Sequence, residues 1–213
     1  MINDNKVAIL DCGTGNIASI FKALRSINAE PYLVSNYKEL NTVPKLILPG
    51  VGHFGEAVKH LKKFNFIESL HSIREKGVPI LGICLGFQLL AESSEESLSH
   101  AGLGFLPIKV TRINPTDCLN YKCPHIGWNS IEAIKSNLFL FEGIESERQL
   151  FYFCNAYGVE INYDLKLNSS FYFHESKWLA SVEKDNIFGV QFHPEKSRTQ
   201  GLKLLNNFLN YQE

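Results

Sequence analysis

The 213-residue sequence lacks a strong excess of either charge: 21 Lys and Arg residues are balanced by 22 Asp and Glu residues, giving a net charge of −1. Binding of nucleic acid or an anionic membrane through a general electrostatic field needs a strongly basic balance, so the composition argues against both partners. No run approaches the roughly 18 apolar residues that cross a bilayer. With 45% hydrophobic and 20% charged residues, the composition is typical of a globular protein.

The sequence also lacks the marks of a secreted protein. Residues 1–6 have neither the basic start nor the apolar stretch of a signal peptide. The cysteines are odd in number and irregularly spaced, which disfavours a disulfide framework. They are Cys12, Cys84, Cys118, Cys123 and Cys154. We therefore expect a reducing, cytoplasmic setting.

The first half of the chain alternates short apolar runs with amphipathic stretches, which predicts strands separated by helices. The predicted strands are 7–10, 31–34, 46–48 and 78–83, and the predicted helices are 17–28, about 55–76 and 88–92. Asn16 is placed to cap the first helix. Since the run at 78–83 is apolar throughout, it is typical of a central parallel strand that is covered on both faces.

The second half, from 108 to 190, favours short strands rich in aromatic residues. A hairpin is predicted from 171–174 and 178–182 around a turn at 175–177, then a strand at 187–192 and a helix at about 198–211. No break in composition separates the halves. We therefore expect one α/β domain over residues 1–213, with a mostly parallel central sheet and antiparallel additions in the second half.

Cys84 is the candidate nucleophile. It lies between two glycines in Gly-Ile-Cys-Leu-Gly (82–86), at the step from a buried strand to a helix, which is the layout of a nucleophile elbow. The N-terminal end of that helix favours a thiolate. The N–H of Leu85 would lie where an oxyanion develops. The alternative is that Cys84 is a small buried hydrophobic residue.

His193 is the candidate base, because it ends an apolar strand and is followed by Pro194 and Glu195. In an extended chain, residues two apart point the same way, so Glu195 can orient the imidazole and stabilise its cationic form. The alternative is an ordinary surface histidine. The turn Pro-Gly-Val-Gly (49–52) could direct the Val51 N–H toward a substrate oxygen and complete an oxyanion hole with Leu85.

These motifs resemble the class I, or triad-type, glutamine amidotransferases, most closely the glutaminase subunits of imidazole glycerol phosphate synthases. The resemblance runs nearly end to end and rests on five segments. They are Asp-x-Gly-x-Gly-Asn (11–16), Leu-Pro-Gly-Val-Gly (48–52), Gly-Ile-Cys-Leu-Gly-x-Gln (82–88), Pro-His-x-Gly-Trp-Asn (124–129) and Gln-Phe-His-Pro-Glu-Lys-Ser (191–197).

The resemblance implies a three-layer fold, a γ-glutamyl thioester on Cys84, and neither cofactor nor metal. It implies that Gly50, Gly52 and Gln88 help to hold glutamine. Ammonia would then pass into a (β/α)8-barrel cyclase that forms a heterodimer with this chain in histidine biosynthesis. The docking face would include Asn16, Trp128, Tyr157 and Lys196.

Two departures from the family pattern leave other functions open. Cys12 stands where the family usually has Tyr, and Phe-Cys-Asn-Ala-Tyr (153–157) replaces Phe-Val-His-Ser-Tyr. One alternative is a paralogous subunit that supplies ammonia to a surface-sugar amidating enzyme, and another is a stand-alone γ-glutamyl hydrolase. A non-catalytic binding module would need a broken triad. A zinc site of Cys118, Cys123 and His125 is disfavoured because it lacks a clear fourth ligand.

Overall fold

The structure is a computed structural model that describes residues 5–13, 16–113, 123–133, 138–145, 150–161, 169–173 and 176–212. Its strands are β1 (Lys6–Leu10), β2 (Glu30–Val34), β3 (Leu46–Leu48), β4 (Ile80–Ile83), β5 (Ser93–Ser94), β6 (Lys109–Arg112), β7 (His125–Ser130), β8 (Glu132–Ala133), β9 (Leu150–Asn155), β10 (Tyr157–Gly158), β11 (Ser169–Phe173), β12 (Ser176–Lys184) and β13 (Ile187–Val190). Its α-helices are α1 (Ile17–Ser26), α2 (Phe54–Lys63), α3 (Phe66–Glu75), α4 (Leu85–Leu89) and α5 (Arg198–Leu209). Short 3₁₀ segments cover Tyr37–Thr42, Phe139–Phe141 and Pro194–Lys196.

An eight-stranded sheet in the order β2-β1-β3-β4-β13-β12-β11-β8 forms the centre of the fold. The first five of these strands are parallel, and β12, β11 and β8 are added by antiparallel pairing. β3, β4 and β13 are neighbours, so their carboxyl ends meet at one edge of the sheet. Active groups of α/β proteins gather at this edge.

Side-chain alternation along the strands divides the core into two layers. On β1, Ala8 and Leu10 face a layer that includes α2 and α3, whereas Val7 and Ile9 face a layer that includes α1 and α5. Because both faces are covered, the central strands carry apolar residues at consecutive positions. The prediction of an α/β fold with a mainly parallel sheet is confirmed. Helices in the described ranges are all too short or too polar to cross a bilayer.

Several predicted boundaries were wrong for local reasons. The helical stretch at 55–76 is two helices, because Asn65 adopts a left-handed conformation with φ of 57°. Helix α4 begins directly after Cys84 and ends at Leu89, rather than covering 88–92. Asn16 precedes α1, but its side chain makes no capping hydrogen bond.

The predicted hairpin is formed by β11 and β12. Ser176 and Lys177, which were assigned to its turn, pair with Phe173 and Tyr172 as part of the ladder. Residue 174, the end of the first predicted strand, and residue 175, the start of the predicted turn, lie outside the described residues. A further two-stranded ribbon of β7 and β9 stands apart from the central sheet and carries Trp128.

Candidate active site

A cleft of about 230 Å³ opens at the carboxyl edge of the sheet. The structure brings together many of the residues that the sequence singled out, although they come from distant parts of the chain. The predicted residues that line the cleft are Val51, Gly52, Cys84, Leu85, Gln88, Tyr157, His193 and Lys196. Four further residues, which were not among the predicted site residues, complete the lining: Glu96 and, from the segment that departs from the family pattern, Cys154, Asn155 and Ala156.

Cys84 lies in a sharp turn between β4 and α4, with φ of 53° and ψ of −107°. This positive φ is uncommon for a residue with a side chain, and the surroundings of the turn hold it in place. A Cβ on Gly86 would lie 1.8 Å from the Leu48 carbonyl oxygen, and one on Gly82 would lie 2.7 Å from the Phe87 Cα. The two glycines therefore permit the close backbone approach that the elbow requires.

His193 faces the same cleft and is almost completely buried. Its backbone N–H donates to the Tyr152 carbonyl at 2.8 Å, which ties it to β9. Its Nδ1 lies 2.9 Å from Oε1 of Glu195, and both side chains are buried. The expected contact exists, but the expected backbone was wrong. Glu195 lies in the 3₁₀ turn Pro194–Lys196, not in extended chain.

The charge state of His193 follows from its neighbours. Burial acts to lower the pKa of the imidazole, but hydrogen bonds to Cys84 and Glu195 and their negative charges outweigh it and raise the pKa from 6.5 to about 10. The ring therefore carries a proton at neutral pH. A protonated imidazole beside the sulfur favours a thiolate, and it can later donate its proton to a leaving group.

The turn at residues 49–52, which we call the oxyanion loop after its predicted role, has a different arrangement from the one expected. The Leu85 N–H donates to the Gly50 carbonyl at 3.3 Å, so this predicted donor is already engaged. Val51 is 38% exposed, and Gly52 has φ of 111° with nothing within 4 Å of an added Cβ. The Leu85 N–H would become available to another acceptor only if the Gly50 peptide moved.

Two buried amides hold the floor of the cleft. The Nε2 of Gln88 donates to the Tyr157 carbonyl at 2.9 Å and to Oε1 of Gln191 at 3.1 Å. With its amide protons so directed, Gln88 presents its own Oε1 as an acceptor. Gln191 was not selected as a site residue, yet its Nε2 lies 3.7 Å from Sγ of Cys84. Its position two residues before His193 in the predicted strand 187–192 was the available signal, although β13 itself ends at Val190.

The other unpredicted lining residues depend on long-range packing. Oε2 of Glu96 accepts the N–H of Phe54 at 2.7 Å, and Nδ2 of Asn155 donates to the Tyr157 carbonyl at 2.9 Å. The Cys154 carbonyl oxygen lies 3.9 Å from Sγ of Cys84. Residues 154–156 were marked only by their departure from the family pattern, and no local pattern marks Glu96, which reaches the cleft because the segment after β5 packs against the start of α2.

The four residues expected on a docking face are only partly together. Lys196 and Tyr157 line the cleft, whereas Asn16 lines a separate small cavity behind it with His193 and Glu195. Trp128 is partly exposed on β7, with the Arg198 guanidinium 4.8 Å from its ring centre. Lys196 bridges cleft and ribbon, because its Nζ lies 5.6 Å from the ring centre of Tyr152 on β9.

Some sequence expectations fall outside the described part of the chain. Thr14 and Gly15 of the 11–16 motif and Cys118 of the disfavoured zinc site lie there. Within the described ranges, no three His, Cys, Asp or Glu side chains are grouped as metal ligands. Sγ of Cys123 instead lies 3.9 Å from the Ala156 carbonyl oxygen.

Comparisons with known proteins agree with this geometry. The family model described as glutamine amidotransferase class-I matches residues 8–211. The chain is 42% identical over 204 residues to imidazole glycerol phosphate synthase subunit HisH 1 of Campylobacter jejuni, covering 95% of this chain and 98% of that protein. It is 42% identical over 205 residues to subunit HisH of Pyrococcus furiosus, covering 96% and 98%.

Solved structures share the fold at low sequence identity. PurLQS from Thermotoga maritima has a TM-score of 0.74 at 19% identity, covering 98% of this chain and 99% of that one. A structure described as a glutamine amidotransferase has a TM-score of 0.72 at 20% identity, covering 95% and 96%. The family match over almost the whole chain shows that this protein is a class I glutamine amidotransferase.

Proposed function

We propose that the chain is the glutaminase subunit of an imidazole glycerol phosphate synthase, that it acts as one cytoplasmic domain, and that Cys84, His193 and Glu195 form its triad. One observation carries the chemical proposal. Cys84, at positive φ, and the protonated His193, bonded to Glu195, face one cleft at the edge of the sheet. Relatives about 40% identical over nearly the full chain support the assignment of the pathway.

In the first half-reaction, the Cys84 thiolate attacks the side-chain amide carbon of glutamine. The carbonyl oxygen becomes an oxyanion, for which the N–H groups of Val51 and Leu85 are the proposed donors. His193 gives its proton to the amide nitrogen, the C–N bond breaks and ammonia leaves. A γ-glutamyl thioester on Cys84 remains.

In the second half-reaction, the neutral His193 removes a proton from water, and the resulting hydroxide attacks the thioester carbon. The C–S bond breaks, which releases glutamate and restores the thiolate beside a protonated imidazole. Glu195 stabilises that cation and fixes the ring orientation through Nδ1. The sum is glutamine and water converted to glutamate and ammonia.

The state of the oxyanion loop supports a partner-dependent enzyme over a stand-alone hydrolase. The Leu85 N–H is engaged by the Gly50 carbonyl, so one proposed oxyanion donor is blocked in the isolated chain. The loss of one such donor typically lowers turnover by about 10²- to 10³-fold. If partner binding moved the Gly50 peptide, the Leu85 N–H would become free and glutamine turnover would rise in the complex, where the partner consumes the ammonia.

The partner proposed from the family resemblance is a (β/α)8-barrel cyclase, docked over the β7–β9 ribbon and the mouth of the cleft. The outward face of that ribbon exposes three apolar residues, Ile126 at 60%, Leu150 at 45% and Trp128 at 38%. Such a face beside a cleft is typical of a protein–protein interface. Lys196 lies between the two, where it can contact both partner and substrate.

The test is a glutaminase assay of the wild type, Cys84→Ala and the control Cys123→Ala, each with and without partner. Cys123 is a half-buried cysteine that does not line the cleft, so its variant controls for loss of a thiol. We expect Cys84→Ala to lose activity by at least about 10⁴-fold while still binding the partner, because no other group forms the thioester. Retained hydrolysis in Cys84→Ala would reject the mechanism.

The identity of the partner is tested in the same assay with two candidates, a purified barrel cyclase and a sugar-amidating enzyme. Activation and co-purification with the cyclase alone would support the proposal. Activation by the sugar-amidating enzyme alone would instead indicate a paralogous subunit that supplies ammonia to that enzyme. A high rate without either partner would instead indicate a stand-alone γ-glutamyl hydrolase.

A further inference from the structure

Gln191 is a buried residue for which the three-residue triad has no role. It follows β13, two positions before His193, and its side chain is fully buried among the groups at the floor of the cleft. A buried amide must have its polar atoms paired, and both of its ends are paired here. Oε1 accepts from Gln88 at 3.1 Å, and Nε2 lies 3.7 Å from Sγ of Cys84.

A chain of hydrogen bonds determines which end of Gln191 faces the sulfur. The Tyr157 carbonyl can only accept, so the NH2 group of Gln88 must point toward it. The same NH2 group also donates to Gln191, which must therefore present its oxygen to Gln88. The NH2 group of Gln191 is left facing Cys84.

The geometry points to Gln191 as a further catalytic residue, whose side-chain N–H donates to the Cys84 sulfur and stabilises its thiolate form. This inference rests on the proposed role of Cys84 as nucleophile. An amide does not titrate, so its N–H can donate at every step, whatever the protonation state of His193. When the C–S bond of the thioester breaks, His193 has just taken a proton from water, and Gln191 offers the departing sulfur a second, permanent donor.

Two substitutions separate this role from simple support of Gln88. Gln191→Glu keeps an oxygen that can accept from Gln88 but replaces the donor to sulfur with a carboxylate. Gln191→Met has a similar length and removes both contacts. If Gln191 only holds Gln88, Glu should behave like the wild type and Met should be impaired. If it stabilises the thiolate, Glu should be the more damaging substitution.

The measurement is alkylation by iodoacetamide from pH 5 to pH 10, read at individual cysteines by peptide mass spectrometry. It requires no glutamine, so its result is independent of whether the chain hydrolyses glutamine. We expect the pH midpoint for Cys84 to rise by about one unit in Gln191→Met and further in Gln191→Glu, as expected for loss of a hydrogen bond to a charged group. Cys123, a free cysteine that does not line the cleft, provides an internal reference whose midpoint should not move.

Asn207→Leu is the matched control, because Asn207 is also a buried amide, bonded to the carbonyls of Leu140 and Glu142, and it does not line the cleft. Its Cys84 midpoint should equal that of the wild type. An unchanged Cys84 midpoint in folded Gln191→Met and Gln191→Glu, or a wild-type midpoint in Gln191→Glu alone, would overturn the inference.

A measurement on unsubstituted Gln191 covers the case in which both variants fail to fold. The side-chain amide protons of Gln191, observed by NMR, should shift with pH in the wild type as the sulfur titrates. In Cys84→Ala this titration should disappear. A titration that persists without the sulfur, or that is absent from the wild type, would reject the inference as firmly as the alkylation assay.

Discussion

Two turns at the same edge of the sheet differ sharply in how tightly they are held. The nucleophile elbow after β4 is enclosed: Cys84 and Leu85 are buried, and the backbone of Gly86 lies against the Leu48 carbonyl. The oxyanion loop after β3 is open, since Val51 is partly exposed and Gly52 has free space around it. Packing therefore fixes one turn in place and leaves the other able to change.

Under the proposed mechanism, this difference would let the subunit hold Cys84 in position without hydrolysing glutamine in the absence of its partner. The side chains of Cys84, His193 and Glu195 are buried, and Nδ1 of His193 already contacts Oε1 of Glu195. The donor at Leu85 is occupied by the Gly50 carbonyl, so the last element of the site waits for a local rearrangement. Substitutions at the two turns should therefore affect stability and activity in different proportions.

The largest effect is expected for Gly86→Ala in the elbow. The new Cβ would lie 1.8 Å from a backbone oxygen of β3, and neither strand nor helix can yield without disturbing the core. The free energy of unfolding should fall by more than about 4 kcal/mol, measured by urea denaturation. A Gly86→Ala protein with the stability of the wild type would show that the elbow is not rigid.

An intermediate effect is expected for Glu195→Gln, which removes the charge beside His193. The pKa of His193 should fall from about 10, since its hydrogen bond to a carboxylate and that charge both raise it. The alkaline limb of kcat/KM, which reports loss of the imidazolium, should then move to lower pH by about one unit or more. An alkaline limb that stays in place would remove Glu195 from the triad.

The same substitution has a stability signature with a defined sign. A histidine whose pKa is raised on folding contributes stability that is complete below its unfolded value of 6.5 and is lost as pH rises through about 10. The difference in unfolding free energy between the wild type and Glu195→Gln should therefore shrink as pH increases over this window. A difference that grows with pH would contradict the assigned direction of the shift.

The smallest effect on stability is expected for Gly52→Ala in the open loop. The added Cβ meets nothing within 4 Å, but φ of 111° is strained for alanine, so the cost should be about 1–2 kcal/mol. Activity should fall by a larger factor than stability explains, because Gly52 lines the cleft. Gly52→Ala and Gly86→Ala make the same chemical change at the two turns. Equal losses in the free energy of unfolding would show that the two turns are held equally tightly.

Sequence patterns predicted much of the fold and several of the residues that line the cleft. The strand at 46–48 was placed without error, since three apolar residues before Pro49 and Gly50 can hardly form another element. Cys84 and His193 were marked by strand ends, and parallel strands bring their ends to one edge. Patterns failed where a single residue has an uncommon backbone conformation. Asn65, for example, is left-handed and divides a predicted helix in two.

The sequence by itself determined the order of strands and helices, the glycines that flank Cys84 and the pairing of His193 with Glu195, because each depends on residues close together in the chain. Only the tertiary structure decided that Gln191 donates to the Cys84 sulfur and that Gly50 occupies the Leu85 N–H. These contacts join residues that are far apart in the chain and lie just beyond the ends of β3, β4 and β13, so their geometry is set by how the whole sheet packs. Local patterns carry no information about such distances. The sequence could therefore predict which residues form the candidate site, but not that the Leu85 N–H is already bonded to Gly50.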